Sequence, residues 1–272
     1  AERTRHELNW LEAEIAEWKE RITRNEEELI KKEAELMHTK LLDRQKDEFI
    51  SIASHELRTP LTTVKAYIDL LRQNKSAEPV FADYTGRAAA GVAKLQDMIN
   101  AMLDVSKIQS GKLQLKFSTF DMRSLLETCC ENVQHLSGHH VTVTGDETQV
   151  VTADKDRLEQ VVMNYLTNAI KYSPESSPII LELGGEDNHI TVSVRDFGPG
   201  ISKEKQRQVF ERFYRVEGSK SQVEGLGIGL YISAEIIHQH RGRVGLQSEE
   251  GKGSVFCFWI PRNISSDVES AN

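Results

Sequence analysis

A heptad repeat opens the chain and constrains its fold more than any other feature. The first 48 residues contain neither proline nor glycine, and their apolar residues recur at steps of three and four, with Asn25 and Lys32 interrupting the series. Such a helix would be about 72 Å long, and it cannot bury its apolar face alone. We expect residues 1–44 to form a parallel coiled coil with a second copy; a solvated single helix is the alternative. The apolar residues of the repeat are Leu8, Leu11, Ile15, Trp18, Ile22, Leu29 and Leu36.

A helical hairpin is predicted next. Residues 49–73 and 81–109 have helical periodicity and are joined by a short turn, which indicates two antiparallel helices. Pro60 removes a backbone donor and should bend the first helix just after His55. Because a hairpin with wide apolar faces needs a second hairpin, we expect residues 45–110 to form a dimeric four-helix bundle. The residues predicted to be buried on the second helix are Val92, Leu95, Met98, Ile99, Met102, Val105 and Ile108.

After Ser110-Gly111 the pattern changes to a mixture of strands and helices. Helices grouped against a mostly antiparallel or mixed sheet indicate an α+β sandwich over residues 111–264, followed by a disordered tail at 265–272. Asp121 is the expected N-cap of the first helix in this part. The predicted strands are 112–118, 141–145, 149–154, 178–185, 188–196 and a final hairpin within 242–262, and the predicted helices are 120–136, 155–173 and 225–240.

Composition argues against several classes of function. The formal net charge of −8 does not favour a nucleic-acid partner, and no run of about 18 apolar residues is present to form a membrane segment. The spacing of Cys129, Cys130 and Cys257 suits neither disulfides nor a metal, so we expect buried, reduced thiols and a cytoplasmic location. His139-His140 and His238-x-His240 lack further ligands at a metal-binding spacing. The chain begins with neither methionine nor a signal core, so we expect a fragment of a longer protein.

A histidine beside a carboxylate is the first candidate site. We call residues 54–60, Ser-His-Glu-Leu-Arg-Thr-Pro, the acceptor motif. The neutral imidazole of His55 is a nucleophile near pH 7, and Glu56 can hold one ring nitrogen so that the other keeps its lone pair. Thr59 lies one helical turn further, where its hydroxyl can reach the same face. Taken alone, the pattern also fits an ordinary surface histidine.

Polar residues along one helix form the second candidate site. In the amide motif, residues 164–173, Asn164, Asn168 and Lys171 stand at i, i+4 and i+7 on one helical face. Amide oxygens suit a hard cation such as Mg²⁺ that bridges phosphates, and Lys171 adds positive charge for the same phosphates. A polar helix face without a ligand is the alternative interpretation.

Two glycine-rich segments are the next candidates. In the aspartate loop, residues 196–201, Asp196 follows a strand and can accept a hydrogen bond from an adenine amino group, while Gly198 and Gly200 let the backbone approach the base. The glycine motif, residues 225–230, begins a helix whose N-terminal amides favour anions. It is not a P-loop, because no Gly-Lys-Ser/Thr follows. Either segment could also be an ordinary turn.

The last candidate is the aromatic segment, residues 209–216, Val-Phe-Glu-Arg-Phe-Tyr-Arg-Val. Taken alone, its aromatic and basic residues fit the end of an amphipathic helix. The polar residues 216–224 that accompany it are expected to form a mobile lid.

Taken together and in this order, the five motifs resemble those of the sensor histidine kinases of two-component systems. The resemblance covers residues 45–262, and residues 1–44 resemble the signalling coiled coils that precede such kinase modules. It implies a Bergerat-type ATP-binding sandwich, shared with type II topoisomerases, mismatch-repair ATPases and a heat-shock chaperone. Two residues depart from the family pattern: Phe197 stands where Asn is often seen, and Leu226 stands where Thr or Ser is common.

The resemblance also implies roles for individual residues. Asn168 would bind Mg²⁺ directly, Asn164 would be a closely associated metal or water ligand, and Arg215 would contact the γ-phosphate. The implied catalytic set is His55, Glu56, Thr59 and Arg215. The implied ATP-binding set is Asn164, Asn168, Lys171, Tyr172, Asp196, Gly198, Gly200, Ile201, Phe213, Tyr214, Gly225, Leu226, Gly227, Ile228, Gly229 and Leu230.

The expected function is therefore ATP- and Mg²⁺-dependent phosphorylation of His55, followed by transfer of the phosphoryl group to an aspartate of a cognate response regulator. The resemblance also implies a homodimer, an upstream sensor domain absent from this chain, and a phosphatase activity in which Thr59 helps to position a water. The parent protein could be membrane-anchored.

Two alternatives are a coiled-coil scaffold with a degenerate nucleotide-binding domain and an ATP hydrolase of the same superfamily. The intact Asn164, Asn168, Lys171 and Asp196 argue against the scaffold. Asn164 stands where a water-activating glutamate is common in the hydrolysing relatives, which argues against the hydrolase.

Overall fold

The computed structural model describes the backbone of residues 2–73, 78–134, 138–175, 177–186, 188–214 and 226–263. It describes the side chains of the same ranges except 2–17, 38, 41–49, 52, 55, 72–73, 78–80 and 82. The expected turn at 74–80 is described only from residue 78 onward, and the lid at 216–224 and the tail at 265–272 lie outside these ranges.

The elements follow one another as two long helices and then a mixed α/β region. The helices are α1 (Glu2–Gln73), α2 (Glu78–Gln109), α3 (Met122–Gln134), α4 (Lys155–Tyr172), α5 (Lys203–Gln206) and α6 (Gly229–Gln239). The strands are β1 (Ser118–Asp121), β2 (Val141–Gly145), β3 (Val150–Ala153), β4 (Ile179–Glu186), β5 (His189–Arg195), β6 (Arg243–Glu249) and β7 (Gly253–Pro261).

The chain divides into two compact units, of which the first is Ala1–Ser54. In this unit the heptad residues Trp18, Ile22, Leu29 and Leu36 are each more than half exposed. The local contacts of the helix are surface contacts, such as the ion pair of 3.2 Å between Arg24 and Glu20. An apolar stripe left open in one chain fits the expected coiled coil, which stays a prediction.

The second unit begins at His55 and contains the hairpin of α1 and α2. Helix α1 continues through Pro60 to Gln73. Gly91 lets the two helices approach closely, because a Cβ at this position would lie 2.6 Å from Cγ2 of Val64 and 3.6 Å from the Pro60 carbonyl oxygen. The two helices of the hairpin therefore pack closely at Gly91, directly beside the acceptor motif.

The burial predicted for α2 is only partly correct within one chain. Met98 and Val105 are buried as predicted, but Val92 and Ile99 are 47% and 49% exposed. One partner helix can cover only one stripe of α2, whereas the predicted apolar face is wider than a single stripe. The uncovered part of this face is the surface on which a second hairpin is expected to pack.

The remainder of the second unit is an α/β sandwich, as predicted. Its five-stranded sheet has the order β2-β4-β5-β7-β6, in which β2 pairs parallel with β4 and the other neighbours pair antiparallel. Helices α3, α4 and α6 pack against this sheet and against one another. Successive side chains of a strand point to opposite faces of the sheet. On β5 the alternate residues Ile190, Val192 and Val194 are therefore the ones buried beneath these helices.

The strand predicted at 112–118 is wrong. Residues 112–117 have no regular structure, and β1 instead begins at Ser118 and pairs antiparallel with β3. The reason is that the backbone N–H of Lys116 donates to the Asp154 carboxylate at 2.7 Å, so it does not enter a strand ladder.

The predicted capping role of Asp121 is confirmed, since its carboxylate accepts from the Arg123 N–H at 3.3 Å.

The three cysteines are free and buried, as predicted. Burial, aided by the charge of Glu159, raises the pKa of Cys129 to about 12, and burial raises the pKa of Cys257 to about 11. These thiols are packing groups and not nucleophiles.

Across the described residues, none of the helices combines the length and the apolar character needed to cross a membrane.

Candidate functional site

Helix α4 positions the amide motif. Asp154 caps its N-terminus by accepting from the Arg157 N–H at 3.1 Å, and one side of the helix is buried in the sandwich. Asn164 and Asn168 lie half-buried at the edge of that side, and Lys171 is exposed. The periodicity of α4 therefore places the predicted polar residues between core and solvent, where a ligand can reach them. The buried residues are Leu158, Val161, Val162, Tyr165, Leu166 and Ala169.

Asn164 joins the amide motif to the glycine motif on α6. Its Nδ2 donates to the Ser233 hydroxyl at 2.9 Å, and a Cβ on Gly229 would lie 2.5 Å from its Oδ1. Glycine is needed at position 229 because a larger residue would displace this amide. The arrangement presents an amide oxygen beside the first turn of α6.

The carboxylate of Asp196 lies just beyond the end of β5. The residue is 6% exposed, and its Oδ1 accepts from the Gly198 N–H at 2.8 Å and from the Ser254 N–H at 3.2 Å. Burial raises the pKa of Asp196, and the hydrogen bonds from Gly198 and Ser254 oppose that rise. A buried acceptor held by backbone donors can select a ligand that brings an N–H group.

The glycines of the aspartate loop allow two close approaches. A Cβ at Gly198 would lie 2.8 Å from the Tyr172 carbonyl oxygen, so the loop passes directly against the end of α4. Gly200 has a φ of +69°, and a Cβ there would collide with the Glu249 carbonyl oxygen. Glycine is therefore required at both places, and the aspartate loop and the amide motif lie side by side.

Two serines near this loop were missed by the sequence analysis. Ser254 follows Gly253 at the start of β7 and donates its N–H to Asp196. The Ser248 hydroxyl accepts from the Ile201 N–H at 2.8 Å. The available signal for Ser254 was the run Gly251-Lys252-Gly253-Ser254, which by itself indicates only a hairpin turn.

The aromatic segment reaches the glycine motif through its backbone. The Phe213 N–H donates to the Gly227 carbonyl oxygen at 3.0 Å, and Phe213 has a φ of 65°, a left-handed conformation that is uncommon outside glycine. Phe210 packs edge-on against Phe256 of β7 with ring centroids 6.3 Å apart. Tyr214 is half-buried. The predicted contact of this segment with the nucleotide is a proposal.

Leu226 and Ile228 of the glycine motif are buried, and Leu230 is half-buried. Ile228 occupies the N-cap position of α6, and its apolar side chain cannot accept from the N–H groups of the first turn. An anion is the ligand that such an uncapped helix start favours. Arg215 and Gly225, which the sequence analysis assigned to the γ-phosphate and to the nucleotide, lie outside the described residues.

The acceptor motif lies on α1. The backbone of His55 is helical, and its side chain lies outside the described residues. Glu56 is half-buried, Thr59 is exposed, and the Thr59 carbonyl oxygen accepts from the Thr63 hydroxyl at 3.1 Å. An open groove of about 570 Å³ begins within the motif and continues along α1 to Leu70. Its lining residues are Arg58, Thr59, Thr62, Thr63, Ala66, Tyr67 and Leu70.

Comparison with known families gives two matches. Residues 45–111 match the His Kinase A (phospho-acceptor) domain. Residues 153–264 match the histidine kinase-, DNA gyrase B- and HSP90-like ATPase family. The first range contains the acceptor motif, and the second contains the other four motifs.

Individual relatives give the same result. The chain is 32% identical over 230 residues to the sensor histidine kinase WalK of Bacillus subtilis, which covers 81% of this chain and 37% of WalK. It is 26% identical to full-length ShkA, solved in complex with AMPPNP, with a TM-score of 0.59 over 79% of this chain and 45% of ShkA. The histidine kinase ThkA, solved with the response regulator protein TrrA, shares the fold at 23% identity and a TM-score of 0.56, over 79% of this chain and 61% of ThkA. The chain thus spans less than two fifths of WalK.

Proposed function

The chain belongs to the sensor histidine kinases of two-component systems, and on this premise we propose that it phosphorylates its own His55 from ATP. The observation that carries the proposal is that the four motifs of the sandwich lie together: the amide motif on α4, two motifs in contact with it, and the aromatic segment bonded to one of those two. The aspartate loop touches α4 at Tyr172, the glycine motif touches it at Asn164, and the aromatic segment is bonded to the glycine motif at Gly227. A buried acceptor beside one part of α4 and a helix N-terminus beside another suit an adenine nucleotide.

The cleft residues bind and orient the nucleotide in this proposal. Asp196 accepts a hydrogen bond from the adenine amino group, and the loop glycines allow the base to approach the backbone. Lys171 and the first turn of α6 face the phosphates. The AMPPNP bound to ShkA supports an ATP-type ligand for this fold.

The donor set fits magnesium. The Oδ1 of Asn164 occupies the space that a Cβ on Gly229 would fill, and Asn168 stands one turn further on the same face. Amide oxygens are ligands of the hard kind that Mg²⁺ prefers. We propose Asn168 as its direct ligand and Asn164 as an associated ligand. When bound, Mg²⁺ neutralises charge on the transferring phosphate.

The proposed reaction uses the acceptor motif as the nucleophile. One nitrogen of the neutral His55 imidazole attacks the γ-phosphorus, an N–P bond forms, and the bond to the bridging β-γ oxygen breaks with its electron pair leaving on ADP. Glu56 holds the proton on the other ring nitrogen and stabilises the positive charge that develops on the ring. We assign Arg215 to the γ-phosphate.

We further propose that phospho-His55 passes its phosphoryl group to an aspartate of a response regulator, and that Thr59 positions water for the phosphatase reaction. Support for such a partner comes from the phospho-acceptor family match, and the ThkA fold neighbour was solved with a response regulator. A sensor domain upstream and a cytoplasmic location are part of the same proposal. Buried free thiols fit a reducing compartment.

The active assembly is proposed to be a homodimer. Val92, Ile99 and Leu103 form an exposed apolar stripe on α2 that a second hairpin would cover. The heptad residues of α1 would extend the same dimer as a coiled coil. Light scattering should give about twice the chain mass of 30.8 kDa, and Ile99→Asp should shift the chain toward the monomer.

The test of the proposed reaction follows the γ-phosphate. The chain is incubated with Mg²⁺ and γ-labelled ATP, and protein-bound label is compared with released phosphate. A self-phosphorylating kinase retains acid-labile label on the protein, whereas an ATP hydrolase of the same superfamily releases phosphate and retains none. Release without retention would overturn the proposal.

A further inference from the structure

We propose that Ser248 is a positioning residue for ATP, because its hydroxyl holds the Ile201 end of the aspartate loop and contacts Ser254, whose backbone holds the Asp196 end. This inference rests on the proposed function, since it concerns how the same cleft recognises adenine. Ser248 lies on β6, outside all five motifs of the sequence analysis.

The Ser248 hydroxyl makes three short contacts. It accepts from the Ile201 N–H at 2.8 Å and donates to the Gly253 carbonyl oxygen at 2.9 Å. Its third contact is with the Ser254 hydroxyl at 3.0 Å. A hydroxyl has one proton and two lone pairs. If the Ser248 proton goes to Gly253, Ser248 accepts from both Ile201 and Ser254, and its hydrogen-bonding capacity is full.

These contacts reach the two ends of the loop by different routes. Ile201 is the last residue of the loop, and Ser248 holds its backbone directly. Asp196 is the first residue, and two hydrogen bonds hold it to Ser254. The Ser254 N–H donates to Oδ1 of Asp196 at 3.2 Å. The Asp196 N–H donates to the Ser254 carbonyl oxygen at 2.8 Å. Ser248 therefore acts directly on the Ile201 end of the loop, and on the Asp196 end through its contact with Ser254.

Gln206 on α5 provides a second connection between the same segments. Its Nε2 donates to the Ile201 carbonyl oxygen at 2.7 Å and to the Ser248 carbonyl oxygen at 2.8 Å. The loop has no regular secondary structure of its own between Asp196 and Ile201. Side-chain hydrogen bonds of this kind add to the backbone bonds that Asp196 makes with Ser254 and Pro199 makes with Gly251.

Loss of the Ser248 hydroxyl leaves the part-buried Ile201 N–H without this acceptor and lets the loop move. Ser248 touches the end of the cleft that binds the base and not the transferring phosphate. We therefore expect Ser248→Ala to raise the dissociation constant for adenine nucleotide about three- to tenfold, the usual effect of one hydrogen bond. The labelling rate at saturating ATP should not change.

The experiment measures binding of Mg²⁺-AMPPNP by calorimetry and initial self-labelling rates across a range of ATP concentrations. The variants are Ser248→Ala, Ser248→Thr, which keeps the hydroxyl, and Gln206→Ala. Ser193→Ala is the matched control, because Ser193 lies on β5 of the same sheet opposite Cys257 and outside the loop. Thermal unfolding of each variant reports whether the fold is intact.

The inference predicts weaker binding and a higher KM for Ser248→Ala and Gln206→Ala, and near-normal values for Ser248→Thr and Ser193→Ala. Should Ser248→Ala fail to fold, Gln206→Ala carries the same comparison. Unchanged affinity in both folded alanine variants overturns the inference while the proposed function stands. Failure of the unaltered chain to bind AMPPNP or to become labelled overturns the proposed function instead.

Discussion

The guanidinium of Arg157 donates to the carboxylate of Asp104 at 2.8 Å and joins the start of α4 to α2 of the hairpin. Gln160 donates to the same carboxylate at 3.0 Å. Arg157 is one turn away from Asp154, whose carboxylate also accepts from Lys116 in the segment between the hairpin and the sandwich. Both partners of the ion pair are largely buried, so water screens it only partly.

Removing this pair should loosen the sandwich from the hairpin. Asp104→Ala and Arg157→Ala should each speed amide exchange in residues 101–109 and 155–160, with a loss of about 1.5–3 kcal/mol in the local opening free energy. Arg123→Ala is the control, since Arg123 pairs with Glu127 within α3. Unchanged exchange in both segments would show that the pair does not hold the two parts together.

Asp196→Asn should abolish tight nucleotide binding without loss of stability. Burial raises the folded-state pKa of Asp196 above its ordinary value of 3.8. The protonated carboxyl group therefore favours folding below pH 3.8, and this contribution is lost as the pH rises through the raised pKa. At pH 7 the ionised Asp196 therefore lowers the stability of the fold, whereas the neutral amide of Asp196→Asn does not. Melting temperature and calorimetric affinity should be measured between pH 5 and 8, with Asp97→Asn on α2 as control. A clear drop in melting temperature at pH 7 would contradict this account.

Gly229→Ala should weaken nucleotide binding at least tenfold while the fold is retained. A Cβ at this position lies 2.5 Å from the Asn164 Oδ1 and must displace that amide, whereas alanine otherwise favours a helix over glycine by about 1 kcal/mol. Gly86→Ala on α2 is the matched control, because a Cβ there meets nothing within 4 Å. Equal affinities for the two variants would remove Asn164 from the site.

His240 should make the sandwich sensitive to acid. Its Nε2 accepts from the Asp154 N–H at 3.0 Å and its Nδ1 contacts the Ile236 carbonyl oxygen at 2.7 Å, an arrangement that suits only the neutral ring. Burial lowers the pKa of His240, opposed by the Ile236 bond and the Asp154 charge, so its contribution to stability is present above pH 6.5 and is lost as the pH falls through the lowered pKa.

Thermal unfolding from pH 7.5 to 5 tests this. His240→Gln should show a smaller pH dependence than the unaltered chain, and His238→Gln, at an exposed position, should not. Parallel pH profiles for all three proteins would refute the role of His240.

The sequence predicted the elements that depend on local periodicity. Helix α4 with its polar edge, the β4–β5 and β6–β7 hairpins and the start of α6 at the glycine motif all follow from patterns within a few residues. The alternating apolar and polar residues of 112–118 wrongly predicted a strand. The conformation of this segment depends on a bond from the Lys116 N–H to Asp154, which lies 38 residues further along the chain. The run Gly251-Lys252-Gly253-Ser254 marked a turn, but the place of Ser254 beside Asp196 follows from the pairing of β5 with β7, which are distant in sequence.

The most direct test of the account is the chemical identity of the phosphorylated residue. The unaltered chain, His55→Gln and His238→Gln are incubated with Mg²⁺ and γ-labelled ATP, and the acid-labile phosphate is mapped by mass spectrometry under alkaline conditions. The account predicts one phosphohistidine at position 55, lost in His55→Gln and kept in His238→Gln, with AMPPNP affinity unchanged in both. Normal labelling of His55→Gln, or phosphate mapped to any other residue, would contradict it.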